Sequence, residues 1–219
     1  MAQTISYVIC AYRSWNLEAF KGNNLLSSKD TLSDDLAKLN PQWVFFLDWS
    51  WIISNSILNK YKCVCFHEAD LPNFRGGSPI QNQIIRGIKK TKLTAFLMKE
   101  GIDKGDILLQ EELSLEGGLN EIFQRVVGLT RKMIPRILNG DYTLRKQEGE
   151  GSYYERRKPF QSEFDELLFG MVPLEKIYDQ IRMLEDPYPN AFLTIGERRI
   201  VFKSAVMENN KIKALAEII

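Results

Sequence analysis

Short apolar runs alternate with amphipathic segments over the first part of the chain. The runs Ile5–Ala11, Gln42–Asp48 and Lys62–His67 are rich in β-branched or aromatic residues, which predicts strands buried on both faces of a sheet. Between them, Thr31–Leu39 and Trp51–Tyr61 predict short helices. Alternating strands and helices favour an α/β fold in which helices flank a largely parallel sheet.

Capping and stop signals predict two further helices. Ser78 can cap a helix that has Pro79 at its first position and isoleucines along one face. Two more strands, Lys92–Lys99 and Asp106–Leu115, are followed by a long amphipathic helix that stops at Gly140.

The pattern changes after residue 140. A charged, tyrosine-rich segment leads to a predicted helix over Val172–Leu184 and a predicted β-hairpin over Ala191–Ala205 that turns at Gly196. We therefore predict an α/β domain over residues 1–140 and a C-terminal extension over residues 141–219. The apolar hairpin is also a candidate homodimer contact.

Composition limits the class of protein. The chain has 219 residues, of which 44% are hydrophobic, so it can bury a full-sized core. The formal net charge of +1 creates no global field that favours nucleic acid. The three cysteines do not suggest a disulfide framework, and no apolar run suits a signal peptide or a membrane span. We expect a cytoplasmic protein with no membrane contact and no nucleic-acid partner.

The single histidine of the chain, His67, stands where a predicted strand ends and a polar loop begins. Ligands of α/β sheets bind outside the carboxyl ends of parallel strands, and the next predicted strand is followed by Asp103. If the two side chains meet, the carboxylate fixes the imidazole tautomer, and histidine can then move a proton near neutral pH. The alternative is that His67 only closes a strand and Asp103 only starts a turn.

The loop after His67 has the composition of an anion site. Arg75 is followed by Gly76 and Gly77, which allow the backbone to approach a ligand closely. Ser78 then begins a helix, whose free N–H groups suit an anion. We predict that these four residues bind the substrate.

The stretch from Trp43 to Leu115 resembles the formyltetrahydrofolate-dependent formyltransferase family. The matching positions, in the family's order and spacing, are His67, Leu71-Pro72, Arg75-Gly76, Pro79-Ile80 and the turn Gly101–Ile107. The resemblance implies a Rossmann-like formyltransferase fold, a transferase activity and 10-formyltetrahydrofolate as the formyl donor, with no metal. It also implies that His67 carries the proton and contacts the oxyanion, while Asp103 orients His67 and helps to deprotonate the amine.

One position departs from the family pattern. The family's third catalytic residue is an asparagine two positions before the histidine, and Cys65 occupies that position here. A thiol is a weaker hydrogen-bond donor than a carboxamide, so the oxyanion contact is absent or comes from elsewhere, with Asn73 and Asn82 as candidates. Cys63, Cys65 and His67 would lie on one face of the strand at steps of about 6.6 Å, too far apart to converge easily on a metal.

The resemblance also predicts binding residues. The donor would lie in an apolar slot and beside the turn that carries Asp103, with contacts from Trp49, Trp51, Ile52, Gly101, Ile102 and Asp106. The downstream segment looks like the corresponding region of nucleotide-sugar N-formyltransferases, which implies that Tyr154 and Tyr188 stack on the acceptor. Arg156, Arg157 or Arg182 would then meet its diphosphate.

The predicted function is therefore formyl transfer to the amine of a nucleotide-linked amino sugar, including precursors of the pseudaminic-acid type, for polysaccharide biosynthesis. The alternatives are a methionyl-tRNA or other amine formyltransferase, a hydrolase that releases formate, and a catalytically silent binding module. The near-neutral charge and the short C-terminal segment disfavour the methionyl-tRNA acceptor. The replacement of the family's asparagine by Cys65 is the feature that supports a catalytically silent module. The presence of both His67 and Asp103 argues against that alternative.

Overall fold

The computed structural model describes residues 6–219, apart from the side chains of residues 167 and 168. The elements of the first half are β1 (Tyr7–Cys10), α1 (Ser14–Ala19), β2 (Leu25–Leu26), α2 (Leu32–Leu39), β3 (Trp43–Phe46), α3 (Asn55–Lys60), β4 (Lys62–His67), β5 (Arg75–Gly76), α4 (Pro79–Ile84), β6 (Lys90–Leu97) and β7 (Ile107–Ser114). The second half contains α5 (Leu119–Leu138), β8 (Tyr153–Tyr154), a 3-10 turn (Pro159–Ser162), α6 (Glu166–Phe169), α7 (Leu174–Arg182), β9 (Ala191–Ile195), β10 (Arg198–Glu208) and β11 (Lys211–Ile218).

The chain divides into two compact units that interleave in sequence. The first contains the residues up to Arg75 together with Lys92–Glu112 and Val126–Ser152, and the second contains Gly76–Thr91, Leu113–Arg125 and Tyr153–Ile219. The domain boundary at residue 140 stays a prediction. The units differ from the predicted domains because two segments from within residues 1–140 group with the C-terminal segment.

The first unit is built on a six-stranded sheet with the strand order β2-β1-β3-β4-β6-β7. The pairs β1–β2, β1–β3 and β3–β4 are parallel, which confirms the predicted α/β fold with a mostly parallel sheet. β6 departs from the prediction, because it runs antiparallel to β4 with Thr94 opposite His67 and Leu97 opposite Val64.

The core of the first unit follows the alternation of side chains along the strands. On one face, Val8, Val44, Phe46 and Cys63 pack into a buried cluster with residues of α2 and α3. The other face is also buried, at Ile9, Phe45, Val64 and Phe66. Burial on both faces explains why β1, β3 and β4 are continuous apolar runs in the sequence.

The second unit contains an antiparallel sheet with the order β9-β10-β11. The predicted hairpin corresponds to β9 and β10, whereas β11 was not predicted. Asn209 and Asn210, both with positive φ, form the second turn, and asparagine tolerates this left-handed conformation. β11 is an edge strand among the described residues, and the homodimer contact stays a prediction.

Several predicted element bounds shift in the structure. β1 begins at Tyr7, and Ile5 lies outside the described residues. The helix that Ser78 was predicted to cap ends at Ile84, so Ile88 lies outside it, and the Ser78 side chain forms no capping hydrogen bond within the described residues. Within residues 6–219, no helix is both long and apolar enough to cross a membrane. The cytoplasmic location stays a prediction.

Candidate active site

His67 is the last residue of β4, and its side chain is almost completely buried, with the residue 6% exposed. The backbone carbonyl of Phe74 lies 2.7 Å from Nε2. A carbonyl can only accept a hydrogen bond, so Nε2 carries the proton and donates it to Phe74. In the neutral imidazole the lone pair is therefore on Nδ1, which is the atom that can take up a proton.

Asp103 faces that atom. Its Oδ2 lies 3.7 Å from Nδ1 of His67, and both side chains are largely buried, at 15% and 7% exposure. The distance is longer than a hydrogen bond but short enough for a carboxylate to stabilise an imidazolium. The structure therefore brings the two predicted catalytic residues together in the first unit.

The route by which the two residues meet differs from the prediction. Asp103 was expected at the carboxyl end of a strand parallel to β4, but β6 is antiparallel to β4, so its carboxyl end lies beside Val64. The loop after β6 must double back to bring Asp103 to His67. Gly101 and Asp103 both have positive φ, which turns the chain sharply, and the Gly105 α-carbon lies against the backbone of Leu97.

Two side chains hold the returning loop in place. Gln147 Nε2 donates to the backbone carbonyls of Asp103 and Gly105, both at 2.8 Å. Arg75 Nε lies 3.3 Å from the Asp103 carbonyl, and its Nε and Nη2 also donate to Gln147 Oε1. Arg75 was predicted to bind substrate, and that role stays a prediction. Its observed contacts favour positioning of the loop that carries Asp103.

The glycines after Arg75 face protein backbone. A Cβ on Gly76 would lie 2.2 Å from the Tyr154 carbonyl oxygen, and one on Gly77 would lie 2.5 Å from the Arg156 α-carbon. Both positions therefore require glycine because of packing inside the second unit. The prediction had explained the two glycines by the close approach of a ligand, and that approach stays a prediction. Ser78 Oγ accepts a hydrogen bond from the backbone N–H of Arg157, and its substrate contact also stays a prediction.

Cys65 lies near three acidic side chains, of which Asp48 and Glu68 were not singled out from the sequence. Burial raises the pKa of the Cys65 thiol well above its usual value, and the negative charges of Asp103, Glu68 and Asp48 raise it further. The thiol is therefore neutral at physiological pH, so Cys65 is not an activated nucleophile. Its Sγ lies 3.7 Å from the carbonyl oxygen of Phe66.

Asp48 and Glu68 could have been found by the strand-end reasoning that selected His67. Asp48 follows β3 as His67 ends β4, and Glu68 is the next residue after His67. Trp15 Nε1 and Asn16 Nδ2 donate to Asp48 Oδ2 at 3.0 and 2.7 Å. Burial nevertheless raises the pKa of Asp48.

Glu68→Gln should flatten the pH dependence of stability. Burial raises the pKa of Glu68 well above the ordinary value of 4.5, and the charge of Asp48 adds to this effect. The folded protein therefore retains a proton that the unfolded chain loses, and stability falls as pH rises from about 4.5 towards the folded-state pKa. Each unit between the two pKa values corresponds to about 1.4 kcal/mol of unfolding free energy. Melting temperatures at pH 5 and pH 8 measure the loss, and an unchanged loss in the variant would contradict this account.

The residues predicted to hold the donor lie in the first unit. The Trp49 and Trp51 rings are 4.9 Å apart, and the Tyr12 ring is 4.6 Å from that of Trp51. Trp49 Nε1 is buried and has no hydrogen-bond partner in the part of the chain that the structure describes, while Ile52 is 93% exposed. Ile53 belongs to the core. An aromatic cluster beside an exposed apolar side chain is compatible with a pterin slot, which stays a prediction.

The turn residues predicted to contact the donor are mostly accessible. Gly101 is exposed, and Ile102 is 50% exposed. Asp106 forms an ion pair with Lys99 at 3.4 Å. The exposed side chain of Ile102, next to Asp103, is available for an apolar ligand, and the donor contact stays a prediction.

The predicted acceptor residues of the second unit have different environments. Tyr154 lies 4.2 Å below the guanidinium of Arg86, and the Tyr188 ring stacks on Phe123 with a centroid distance of 6.3 Å. Asn82, which was considered as a replacement oxyanion donor, already donates to the Gly77 carbonyl at 2.9 Å. Asn73, the other candidate, is exposed.

Arg182 does not fit its predicted substrate contact. It is 4% exposed, and its Nη1 donates to the carbonyls of Leu115 and Gly117 at 2.5 and 2.8 Å. Its Nε pairs with Asp179 at 2.8 Å. The guanidinium forms its hydrogen bonds and its ion pair inside the second unit, and we therefore assign Arg182 a structural role.

Arg182→Met should lower the free energy of unfolding by roughly 3 kcal/mol, because it leaves the Asp179 carboxylate and two carbonyls without their donor. The matched control is Lys38→Ala, which removes an i,i+3 ion pair whose lysine is 77% exposed. The control should change stability by less than about 1 kcal/mol. Denaturant unfolding measures both changes, and equal effects would contradict the structural role.

Metal chemistry finds no support in the side-chain arrangement. Among the described residues, no group of three or more histidine, cysteine, aspartate or glutamate side chains is placed to hold a metal ion. The three cysteines are free, and two of them are buried. The geometry of His67 and Asp103 is compatible with proton transfer, which stays a prediction.

Comparison with known families agrees with this assignment. The profile of the family described as "Formyl transferase" matches residues 13–138, which include His67 and Asp103. The profile described as "Methionyl-tRNA formyltransferase, C-terminal domain" matches residues 159–219. The predicted C-terminal extension is therefore similar to a domain of methionyl-tRNA formyltransferases.

Individual relatives point the same way. The chain is 28% identical over 190 residues to the methionyl-tRNA formyltransferase of Syntrophomonas wolfei, with 82% of this chain and 59% of the relative covered. The chain thus spans about three fifths of that protein's length. A solved structure described as a methionyl-tRNA formyltransferase from Clostridium thermocellum is 42% identical, covers 98% of this chain and 99% of its own, and has a TM-score of 0.90.

The predicted acceptor is contradicted by these comparisons. A solved sugar N-formyltransferase from Shewanella covers 99% of this chain and 100% of its own, but it is only 17% identical, with a TM-score of 0.64. That likeness shows the fold alone. The prediction of a nucleotide-linked amino sugar for polysaccharide biosynthesis, and of no nucleic-acid partner, is therefore wrong, because the relatives with higher identity are methionyl-tRNA formyltransferases. With its fold, its His67–Asp103 pair and the match over residues 13–138, the chain belongs to the formyltransferase family.

Proposed function

We propose that this chain transfers the formyl group of 10-formyltetrahydrofolate to the free amine of methionyl-tRNA. The observation that carries the proposal is the His67–Asp103 pair, which offers a proton-accepting nitrogen next to a carboxylate in a buried site. The match of residues 159–219 to the C-terminal domain of methionyl-tRNA formyltransferases supports the acceptor. The 42% identity to the Clostridium thermocellum protein supports it further.

The donor is supported by the family and by the aromatic cluster. Membership of the formyltransferase family favours a formyl-carrying folate. Trp49 and Trp51 offer flat apolar surface for a pterin, and the buried Nε1 of Trp49 has no partner of its own. A heterocycle with hydrogen-bond acceptors would satisfy that donor.

The chemistry requires one proton to move between two nitrogens. The acceptor amine attacks the formyl carbon, the new C–N bond forms, and the carbonyl electron pair moves to oxygen. The attacking nitrogen must then lose a proton, and N10 of the folate must gain one before the old C–N bond breaks. The products are the formylated amine and tetrahydrofolate.

His67 is placed to carry that proton. Because Nε2–H is committed to the Phe74 carbonyl, Nδ1 accepts the proton from the amine and returns it to N10. Asp103 stabilises the imidazolium between these steps, since its carboxylate lies 3.7 Å from Nδ1. Arg75 and Gln147 act as positioning residues, because they hold the Asp103 backbone.

A coupled assay tests the proposal. The chain is mixed with 10-formyltetrahydrofolate and either methionyl-tRNA or the same tRNA with its methionyl amine acetylated, and tetrahydrofolate formation is followed. We expect turnover with the free amine and none with the blocked amine. Equal turnover with both, or none with either, would contradict the proposed transfer.

A further inference from the structure

Two arginines of the second unit have no acidic partner. Arg86, just after α4, and Arg157, after β8, form no ion pair within the part of the chain that the structure describes. Arg182 of the same unit differs from both, since it has an ion pair with Asp179 and two carbonyl acceptors. Within the described residues, no acidic side chain neutralises either guanidinium through an ion pair.

The start of α4 holds both arginines. The backbone N–H of Arg157 donates to Ser78 Oγ at 3.1 Å, and Arg86 Nη1 donates to the Asn82 carbonyl at 2.6 Å. Ser78 and Asn82 are four residues apart and so lie on the same side of the helix. Asn82 Nδ2 also reaches the carbonyl of Glu155 at 3.4 Å, which joins the segment carrying Arg157 to the same turn.

Contacts with the protein fix each guanidinium, but they use only some of its N–H donors. Arg157 Nη2 donates to the Gln161 carbonyl at 2.7 Å, while its Nε is buried without an acceptor. The Arg86 guanidinium lies 4.2 Å from the Tyr154 ring centroid, which fixes its plane by a cation–π contact. A guanidinium carries five N–H donors, so most donors of this pair have no acceptor among the described residues.

The electrostatics of the pair point to an anion. Burial lowers the pKa of the Arg157 guanidinium, and the positive charge of Arg86 lowers it further. Two cations that repel each other are stabilised by an anion that binds both. A phosphate group can accept hydrogen bonds from two guanidinium groups at once because its oxygens point in several directions, whereas a carboxylate matches a single arginine fork.

We propose that Arg86 and Arg157 form a binding site for a phosphate group, with Tyr154 positioning Arg86. Under the proposed function, the phosphate belongs to the RNA backbone of the acceptor, and this part of the inference rests on that function. A free phosphate-bearing ligand would use the same chemistry. The two sources are separated by the second experiment below.

The first experiment titrates inorganic phosphate at constant ionic strength against the intact chain and measures affinity by calorimetry. The variants are Arg86→Ala and Arg157→Ala. The matched control is Arg199→Ala, which also removes a guanidinium stacked on an aromatic ring, 4.8 Å from the Phe192 centroid in the same unit. We expect at least tenfold weaker binding in the first two variants and unchanged binding in the control.

Three results would overturn the site: no phosphate binding by the unmodified chain, unchanged binding in both variants, or equal loss in all three. This titration does not depend on formyl transfer, so its failure is distinguishable from failure of the proposed function. Arg86 is exposed, so Arg86→Ala tests the site even where Arg157→Ala impairs folding. Circular dichroism of each variant identifies such a folding defect.

The second experiment identifies the source of the phosphate. If the site binds the acceptor's backbone, Arg86→Ala should raise KM for methionyl-tRNA at least tenfold and change kcat by less than twofold. The KM effect should shrink as salt rises, because a phosphate contact is screened. Weaker binding of inorganic phosphate with an unchanged KM would assign the site to a free phosphate-bearing ligand and exclude the RNA contact.

Discussion

His67→Gln should lower kcat for formyl transfer by roughly 10²–10⁴-fold, which is the usual contribution of general acid–base catalysis. Glutamine places an amide N–H where Nε2 of histidine lies, so the hydrogen bond to the Phe74 carbonyl can be kept. What the variant loses is Nδ1, the nitrogen that faces Asp103 and takes up the proton. Single-turnover rates with saturating donor and acceptor measure this loss.

Two comparisons make the result specific. Lys62→Ala changes an exposed residue at the other end of β4 and should leave kcat within twofold of the unmodified chain. The melting temperature of His67→Gln should stay close to that of the unmodified chain, since the donor to Phe74 is preserved. Full activity in His67→Gln would remove the histidine from the mechanism.

Gly105→Ala should lower kcat at least about 10²-fold, the cost expected when catalytic groups are displaced by about 1 Å. A Cβ at this position would lie 1.5 Å from the Leu97 carbonyl oxygen, so the backbone must move. The segment that must move carries Asp103. Its movement also breaks the two hydrogen bonds that Gln147 donates to the carbonyls of Asp103 and Gly105. Steady-state kinetics of the purified variant measure the effect.

Gly128→Ala is the matched control for this substitution. Gly128 lies in α5, and a Cβ there meets no atom within 4 Å. Alanine in a helix interior is favoured over glycine by about 1 kcal/mol, so the control should be as active as the unmodified chain and at least as stable. If Gly105→Ala retained activity within twofold, the position of Asp103 would not depend on this loop geometry.

The parallel part of the sheet could be predicted because it is encoded locally. β1, β3 and β4 are buried on both faces, so each appears in the sequence as a continuous apolar run. The direction of β6 is not encoded in this way, since an apolar run is compatible with either orientation beside β4. β11 was missed because it is largely exposed and carries no apolar run, although Asn209 and Asn210 signal its turn.

His67 and Asp103 were predicted to lie close together, and the structure brings them together by a route that the prediction did not include. His67 and Asp103 meet because positive-φ residues and Gly105 turn the loop back, not because two parallel strands end together. The clamp by Gln147 could not be predicted, because it joins positions more than forty residues apart in a charged segment with no regular pattern. The role of Arg182 could not be predicted either, because its ion pair and carbonyl contacts depend on tertiary packing.

The acceptor was the part of the function that sequence reasoning assigned wrongly. A net charge of +1 was taken to disfavour nucleic acid, and the segment after residue 140 was taken as too short for a tRNA-binding domain. Residues 159–219 nevertheless match the C-terminal domain of methionyl-tRNA formyltransferases. Net charge averages over the whole chain, whereas a phosphate contact requires only a local pair such as Arg86 and Arg157.

The central claim is tested most directly by the chemical state of the acceptor after reaction. Methionyl-tRNA is incubated with 10-formyltetrahydrofolate and the intact chain, digested with nuclease, and the released methionyl-adenosine is analysed by mass spectrometry. The account predicts a formyl mass increment on the methionyl amine with the unmodified chain and a strongly reduced increment with His67→Gln. An unmodified methionyl-adenosine, obtained while the folded chain binds the donor, would contradict methionyl-tRNA as the acceptor.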